Sequence, residues 1–142
     1  YDAVTRPVNR VLPELDLAYL DPPYNQHPYG SNYFMLNLLL RNKVPQHLSR
    51  VSGIPSDWNR SPYNKRAQVQ QAMDDLLTAL PARFALISYN SEGFIPLPEM
   101  LSLLERHGKV QHMETEYATF RGCRNLRSRA LSVKEYLFLL EK

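Results

Sequence analysis

The sequence predicts an α/β fold with a mostly parallel sheet and an antiparallel hairpin at one edge. Two short apolar runs, residues 17–20 and 84–89, have the continuous hydrophobic pattern of strands buried in a parallel sheet. Segments with helical periodicity separate and follow these runs, as in right-handed crossover connections. Near the carboxyl end, two further strand patterns succeed each other without an intervening helix, which is typical of an antiparallel pair.

The first apolar run ends abruptly at a polar, proline-rich stretch. Asp21 follows residues 17–20 directly, and Pro22 and Pro23, which cannot continue a sheet, precede the aromatic Tyr24. The acid and the ring are therefore expected at the carboxyl edge of a strand. Because ligands of open α/β sheets bind in the crevice outside these edges, we expect the chemistry of the protein here.

A turn and a helix are predicted next. Residues 30–32 offer a glycine turn and a helix cap, and the helix ends near Arg41. Its apolar side chains share one face, which we expect to pack on the sheet beside the first strand. These side chains are Phe34, Met35, Leu38 and Leu39.

Residues 42–64 are polar, punctuated by prolines and without a sustained period. Irregular stretches longer than about 15 residues are unusual in compact domains, and two interpretations stay open: a solvated mobile loop, or a loop that closes on substrate or nucleic acid. Asp57 is the one acid among several basic residues in and around this loop. They are Arg41, Lys43, Arg50, Arg60, Lys65 and Arg66.

The second half of the chain continues the alternation of helices and strands. Residues 65–80 have the clearest helical period, and Pro81 ends it. Residues 84–89 form the second buried strand, and residues 90–93 form the turn at its carboxyl edge. The helical stripe consists of Val69, Met73, Leu76 and Leu80.

A last helix precedes the predicted hairpin. It opens at Pro96 and closes at Gly108. Alternation over residues 110–117 and an apolar run over residues 136–140 then predict the two hairpin strands. The stripe of this helix consists of Leu97, Leu101 and Leu104.

The stretch Asp21-Pro22-Pro23-Tyr24, with residues 29–33, resembles the catalytic motif of amino-methyltransferases, most closely the Dam-like adenine-specific DNA methyltransferases. The resemblance is strongest over residues 21–40. It implies a Rossmann-like methyltransferase sheet, whose final strands form the edge hairpin. Weaker similarity continues through residues 61–66, 87–90 and 134–138.

The glycine-rich cofactor motif of that family is absent from this chain. Its five glycines are scattered and contain no G-x-G pair that would let the backbone approach a cofactor. We therefore expect residues 1–142 to be the carboxyl-terminal part of a methyltransferase catalytic domain, with an incomplete sheet and no activity alone.

The resemblance also implies roles for particular residues. The methyl donor is S-adenosyl-L-methionine, and the acceptor is the exocyclic amine of an adenine flipped out of duplex DNA. Asp21, which also contacts the cofactor, and the carbonyl of Pro22 accept the two amine hydrogens, while the Tyr24 ring stacks on the base. A second aromatic residue closes the pocket from the other side. The candidates are Tyr117 and Phe120, and the sequence does not choose between them.

A basic interval lies between the predicted hairpin strands. Residues 117–134 contain no acid, and such a run is either a solvated face or a surface that neutralises DNA phosphates. Lys65 and Arg66 offer further basic contacts. The DNA-binding candidates within the interval are Arg121, Arg124, Asn125, Arg127 and Arg129.

Composition narrows the class of protein. With 142 residues the chain is about one domain, and its net charge of +3 is compatible with a polyanionic partner. Cys123 is the single cysteine, which suits a reducing cytoplasm, and the four histidines lack ligand spacing, so we expect no metal site. No apolar run reaches the roughly 20 residues that cross a bilayer, and we expect a cytoplasmic protein without a membrane partner.

The leading hypothesis is adenine-specific methylation of double-stranded DNA, of the Dam-like or restriction–modification type, with a cognate restriction endonuclease as a partner. One alternative is amino-methylation of RNA or of a protein glutamine, for which related motifs carry Asn in the first position. The other is a nucleic-acid-binding remnant that keeps the fold without catalysis.

Overall fold

The computed structural model describes residues 14–26, 29–42, 47–51, 53–54, 61–118 and 132–142. These residues form four strands, four α-helices and a short 3-10 helix at Pro62–Asn64. The strands are β1 (Leu15–Leu20), β2 (Ala82–Asn90), β3 (Lys109–Ala118) and β4 (Ser132–Glu141). The α-helices are α1 (Tyr29–Asn32), α2 (Phe34–Arg41), α3 (Val69–Ala79) and α4 (Leu97–Glu105).

The four strands form one mixed sheet in the order β1-β2-β4-β3. β1 pairs in parallel with β2, whereas β4 runs antiparallel to both of its neighbours. The predicted α/β class and the antiparallel hairpin at the edge are confirmed. The expected parallel majority is wrong for the described strands, because β4 inserts between β2 and β3 and makes two of the three pairings antiparallel.

This topology brings several strand ends to one edge of the sheet, which we call the carboxyl edge. β1 and β2 end there, at Leu20 and Asn90. β4 begins there, since Glu135 is the partner of Asn90, and β3 ends there because Ala118 pairs with Ser132. The polar residues that follow β1 and β2 therefore lie on the same side of the molecule.

The core lies on one face of the sheet, under α3 and α4. The helices contribute Val69, Met73, Leu77, Met100, Leu103 and Leu104, all at most 4% exposed. Thus Leu77, rather than the predicted Leu76, carries the middle of the α3 stripe. In α4 the predicted Leu104 is buried, whereas Met100 and Leu103 take the core positions in place of Leu97 and Leu101. The strands contribute Ala85, Ile87, Tyr89, Phe138 and Leu140 from alternate positions.

The opposite face of the sheet is open in the described structure. Leu17 and Tyr19 on β1 are 54% and 61% exposed, and Met113 on β3 is 66% exposed. The expectation that β1 is covered on both faces is therefore wrong here, because only Ala18 of its central residues is buried. A continuous apolar run shows that both faces are apolar and does not show that both are covered.

Helix α2 also differs from its prediction. It ends at Arg41 as expected, and Asn42 closes it in the left-handed conformation, with φ of 47°. However, it buries no residue, and Leu39 and Leu40 are 74% and 83% exposed. The predicted packing of its apolar face on the sheet is wrong. No helix within the described ranges is long and apolar enough for a bilayer span.

Leu139 and Leu140 are neighbours on β4 that face opposite sides of the sheet, so they give a matched test of where the core lies. Leu140 is fully buried, whereas Leu139 is 36% exposed. We expect Leu140→Ala to lower the free energy of unfolding by about 2–5 kcal/mol and Leu139→Ala by about 1 kcal/mol or less. Urea denaturation of residues 1–142 measures both losses. Equal losses would contradict a one-sided core.

Candidate active site

The proline-rich stretch lies at the carboxyl edge, as the sequence predicts. β1 ends at Leu20, and Asp21 follows it with an exposed side chain. Pro22, Pro23 and Tyr24 are half-buried as the chain turns away from the sheet. An exposed carboxylate and a half-buried aromatic ring therefore lie close together in sequence, just after the end of β1.

Two other segments hold the backbone of this stretch. The amide of Phe94 donates a hydrogen bond of 2.8 Å to the carbonyl of Tyr24. The side-chain amide of Asn64 donates one of 2.7 Å to the carbonyl of Asn25. Pro22 and Pro23 have no amide hydrogen to donate, so the bonds to the carbonyls of Tyr24 and Asn25 help to fix this turn.

The Tyr24 ring contacts the neighbouring strand. It packs against the ring of Tyr89 in a T-shaped arrangement, with centroids 6.0 Å apart and planes inclined by 69°. Tyr89 is the penultimate residue of β2. The ring is thus placed against the end of the neighbouring strand.

Several charges act on the Tyr24 hydroxyl. Burial raises its pKa above the usual value, and the nearby Asn90 side chain opposes this rise. Nearby carboxylates act in the same direction as burial, and they belong to Glu135, Glu92 and Asp21. At neutral pH the hydroxyl is therefore protonated, and the carboxyl edge is locally acidic.

The turn after β2 is built around Tyr89, which is 1% exposed. Its hydroxyl accepts a hydrogen bond from the amide of Ile95 at 3.2 Å, and burial raises its pKa. A β-carbon at Gly93 would lie 2.2 Å from the Tyr89 ring, so only glycine fits there. The amide of Glu92 is bonded to the Asn90 side chain at 3.0 Å. These contacts fix the turn after β2, whose Phe94 binds the Tyr24 carbonyl.

Basic residues border the acidic edge. The guanidinium of Arg66 lies 5.3 Å from the centre of the Phe94 ring, which connects it to the segment that binds the Tyr24 carbonyl. Lys65 precedes it and is exposed. Lys134, by contrast, pairs with Glu114 at 3.1 Å, and this contact raises its pKa.

The second stacking residue is not brought against Tyr24 in the described structure. Tyr117 lies at the carboxyl end of β3 and is 60% exposed. β2 and β4 lie between β3 and β1, which corresponds to about 14 Å of sheet width. Phe120 lies outside the described residues. So do the basic candidates Arg121, Arg124, Asn125, Arg127 and Arg129.

Two residues of the candidate site have no functional role in the sequence-based predictions. The sequence predicts a turn at Asn90 and the end of a loop at Asn64, and both lie in stretches of weaker family similarity. A usable signal exists for Asn90, since a polar residue that ends a buried strand lies at the same edge as Asp21. Across the described ranges, His, Cys, Asp and Glu form no group of three that could hold a metal ion.

Comparison with known proteins identifies the family. The D12 class N6 adenine-specific DNA methyltransferase family matches residues 7–96. The type II methyltransferase M.CviAII of Paramecium bursaria Chlorella virus 1 is 32% identical over 126 residues, which are 88% of this chain and 37% of that protein. The type II methyltransferase M.NlaIII of Neisseria lactamica is 33% identical over 131 residues, which are 89% and 38% of the two chains.

A further relative, the type II methyltransferase M.FokI of Planomicrobium okeanokoites, is 29% identical over 128 residues, 89% of this chain and 20% of that one. The chain thus spans less than two fifths of the length of these relatives. No solved structure matches it. The matched region includes the proline-rich stretch, β2 and the turn that supports Tyr24. The resemblance noted in the sequence is confirmed, and the chain belongs to the D12 class of N6 adenine-specific DNA methyltransferases.

Proposed function

We propose that the protein transfers a methyl group from S-adenosyl-L-methionine to the exocyclic amine of adenine in double-stranded DNA. The observation that carries this proposal is the position of Asp21 and Tyr24, an exposed carboxylate and a braced ring at the carboxyl edge of a parallel strand pair. Membership of the family supports the same reaction.

The chemistry requires an activated amine. The lone pair of the adenine amine is delocalised into the ring, which makes the nitrogen a poor nucleophile. Two acceptors that bind its two hydrogens direct the lone pair out of the ring plane, and we assign these acceptors to the Asp21 carboxylate and the Pro22 carbonyl. The proline rings restrict the direction of that carbonyl, so the residues act by orientation.

Tyr24 is assigned to the base. An adenine in a duplex must leave the stack to be methylated, and stacking on an aromatic ring offsets part of that cost of a few kcal/mol. The Tyr24 ring is half-buried and packs against Tyr89 in a T-shaped contact, and we assign its accessible part to stacking on the base. We assign the opposite wall of the pocket to Tyr117 or Phe120, as the sequence suggested.

The described residues fit the reacting end of the methyl donor. S-adenosyl-L-methionine supplies an electrophilic methyl group on a cationic sulfonium, and the carboxylates at this edge, from Asp21, Glu92 and Glu135, suit a cation. Asp21 is the residue that we assign to cofactor binding. In the sequence no G-x-G turn is present for the rest of the cofactor.

DNA binding is assigned to the basic border of this acidic edge. Lys65 and Arg66 are exposed, and Arg66 stacks on Phe94 next to the Tyr24 turn, where a phosphate flanking the flipped base would lie. The interval with Arg121, Arg124, Asn125, Arg127 and Arg129 joins β3 to β4, and both of its ends are at the carboxyl edge. We assign these residues to phosphate and sugar contacts.

A restriction–modification role follows from the relatives, which are named type II methyltransferases or modification methylases. We propose that the protein modifies a specific DNA sequence and has a cognate restriction endonuclease as a partner. The family match favours adenine in DNA over RNA or a protein glutamine as the substrate. A remnant that binds DNA without catalysis is one possible outcome of the tests below.

We further propose that residues 1–142 are the carboxyl-terminal part of the catalytic domain. Three observations support this division: the length of the relatives, the lack of a G-x-G turn, and the open apolar sheet face with Leu17 and Tyr19.

Asp21→Ala should abolish methylation without unfolding the protein, because the exposed side chain contributes to the reaction and not to the core. We expect kcat to fall by about 10²–10³-fold, as for loss of one oriented transition-state contact. The full-length protein is expressed in a host without adenine methylation, and N6-methyladenine in the host DNA is mapped by sequencing. Asp16→Ala, which removes an exposed acid on β1, is the control and should keep activity. Near-normal methylation by Asp21→Ala would contradict the assignment.

Residues 1–142 alone should neither bind S-adenosyl-L-methionine tightly nor methylate DNA, since the chain offers only part of a cofactor site. Isothermal titration calorimetry with the isolated chain and with the full-length protein measures the difference. The full-length protein serves as the positive control for the titration. Tight binding by the isolated chain would show that other residues build the cofactor site.

A further inference from the structure

We infer that Asn64 is a positioning residue, whose side-chain amide fixes the turn that carries the proposed acceptors and the stacking ring. The inference rests on the proposed function, because it concerns how the residues assigned to the amine and to the base are held. Asn64 does not contact the base or the methyl donor in this assignment, and it acts through the carbonyl of Asn25.

The contact joins two distant parts of the chain. The side-chain nitrogen of Asn64 lies 2.7 Å from the carbonyl oxygen of Asn25, the residue that follows Tyr24. Both partners are half-buried, and a hydrogen bond that is partly shielded from water is costlier to lose than an exposed one. The amide of Asn64 therefore holds the chain where it leaves the proposed site.

The backbone before this contact has little freedom left. The rings of the two prolines in the turn fix φ at their own positions. The amide of Phe94 binds the Tyr24 carbonyl at 2.8 Å and so fixes the peptide plane after Tyr24. Asn64 fixes the next peptide plane through the carbonyl of Asn25. Loss of either bond lets the turn pivot about the other, and the Pro22 carbonyl and the Tyr24 ring move with it.

The 3-10 helix that presents Asn64 is itself anchored. Ser61 caps it: this residue is 9% exposed, and its hydroxyl accepts a hydrogen bond of 3.3 Å from the amide of Tyr63. The hydroxyl of Tyr63 donates to the carbonyl of Ala72 at 3.0 Å, which ties the 3-10 helix to α3. A side chain on such a support sets the position of its partner rather than following it.

The two segments that hold the turn also contact each other. Arg66 comes shortly after the 3-10 helix, and its guanidinium lies 5.3 Å from the centre of the Phe94 ring. Phe94 provides the other hydrogen bond to the turn. The 3-10 helix, the turn after β2 and the proline-rich stretch thus form one connected unit, in which Asn64 is the side chain that reaches the proline-rich stretch from the 3-10 helix.

Asn64→Leu in the full-length protein tests the inference, because leucine has nearly the same shape and no donor. Single-turnover methylation of a duplex that carries the methylated sequence should have a rate constant about 10–100-fold lower, since small misplacements of oriented groups are costly. The dissociation constant for that duplex should stay within about 2-fold, because the lost bond lies within the protein. An unchanged rate constant would overturn the inference. Weaker DNA binding with an unchanged rate constant would also overturn it and would assign Asn64 to DNA.

The amplitude of the single turnover separates positioning from a merely structural role. If Asn64→Leu only reduced the folded fraction, the amplitude would fall and the rate constant would not, which would overturn the inference. The matched control is Gln71→Leu, which removes an amide donor that binds the Asp75 carboxylate at 2.8 Å on the surface of α3. It should leave the rate constant and the amplitude unchanged, and an equal loss of rate in this control would overturn the inference.

NMR reads the contact without catalysis. Asn25-Gln26 is the one Asn-Gln pair in residues 1–142, so labelling with 13C-carbonyl asparagine and 15N-glutamine isolates the Gln26 amide in this part of the protein. Its peptide group contains the Asn25 carbonyl. Asn64→Leu should therefore shift this signal, and Gln71→Leu should not. An unshifted signal in Asn64→Leu would overturn the inference.

If Asn64→Leu does not fold, Asn64→Ser takes its place, because serine is too short to bind the Asn25 carbonyl, and the same rate constant and Gln26 signal decide. Absence of methylation by the unaltered protein would refute the proposed function and with it the catalytic part of the inference. The Gln26 signal would still decide whether Asn64 holds the turn.

Discussion

The parallel pairing of β1 with β2 determines which residues meet at the carboxyl edge. Leu20 pairs with Ile87, so β1 ends beside the last residues of β2. Asp21 and Asn90 therefore lie at the same edge of the sheet. An antiparallel pairing would put Asn90 at the far end of the sheet. The braced Tyr24 ring, the acidic edge and the supporting turn all depend on this register, which the one-sided core under α3 and α4 stabilises.

The charge pattern around this edge has two parts. Carboxylates of Asp21, Glu92 and Glu135 act on Tyr24, whereas exposed basic residues such as Arg66 lie beside the turn. A polyanion is therefore attracted to the border and repelled from the centre, which is the charge pattern that the proposed function requires. The small net charge of +3 does not reveal this arrangement, because it sums the acidic and basic residues without regard to their positions.

The sequence predicted where the proline-rich stretch lies better than it predicted the contacts that hold it. Prolines and an acid after an apolar run are local signals, so Asp21 and Tyr24 could be assigned to a strand edge. The contact between the Tyr24 and Tyr89 rings depends on the pairing of distant strands, which no local pattern contains. The predicted packing of helix α2 is wrong for a related reason. The helical period shows which side chains share a face, but it does not show which surface, if any, covers Leu39 and Leu40.

The most direct test of the central claim is a photo-cross-link from the target base. In a duplex that carries the methylated sequence, 5-iodouracil replaces the target adenine, the full-length protein is bound and irradiated, and the cross-linked peptide is identified by mass spectrometry. A base that stacks on the braced ring should cross-link to Tyr24. Cross-links confined to α3 and α4, on the core side of the sheet, would contradict a site at the carboxyl edge.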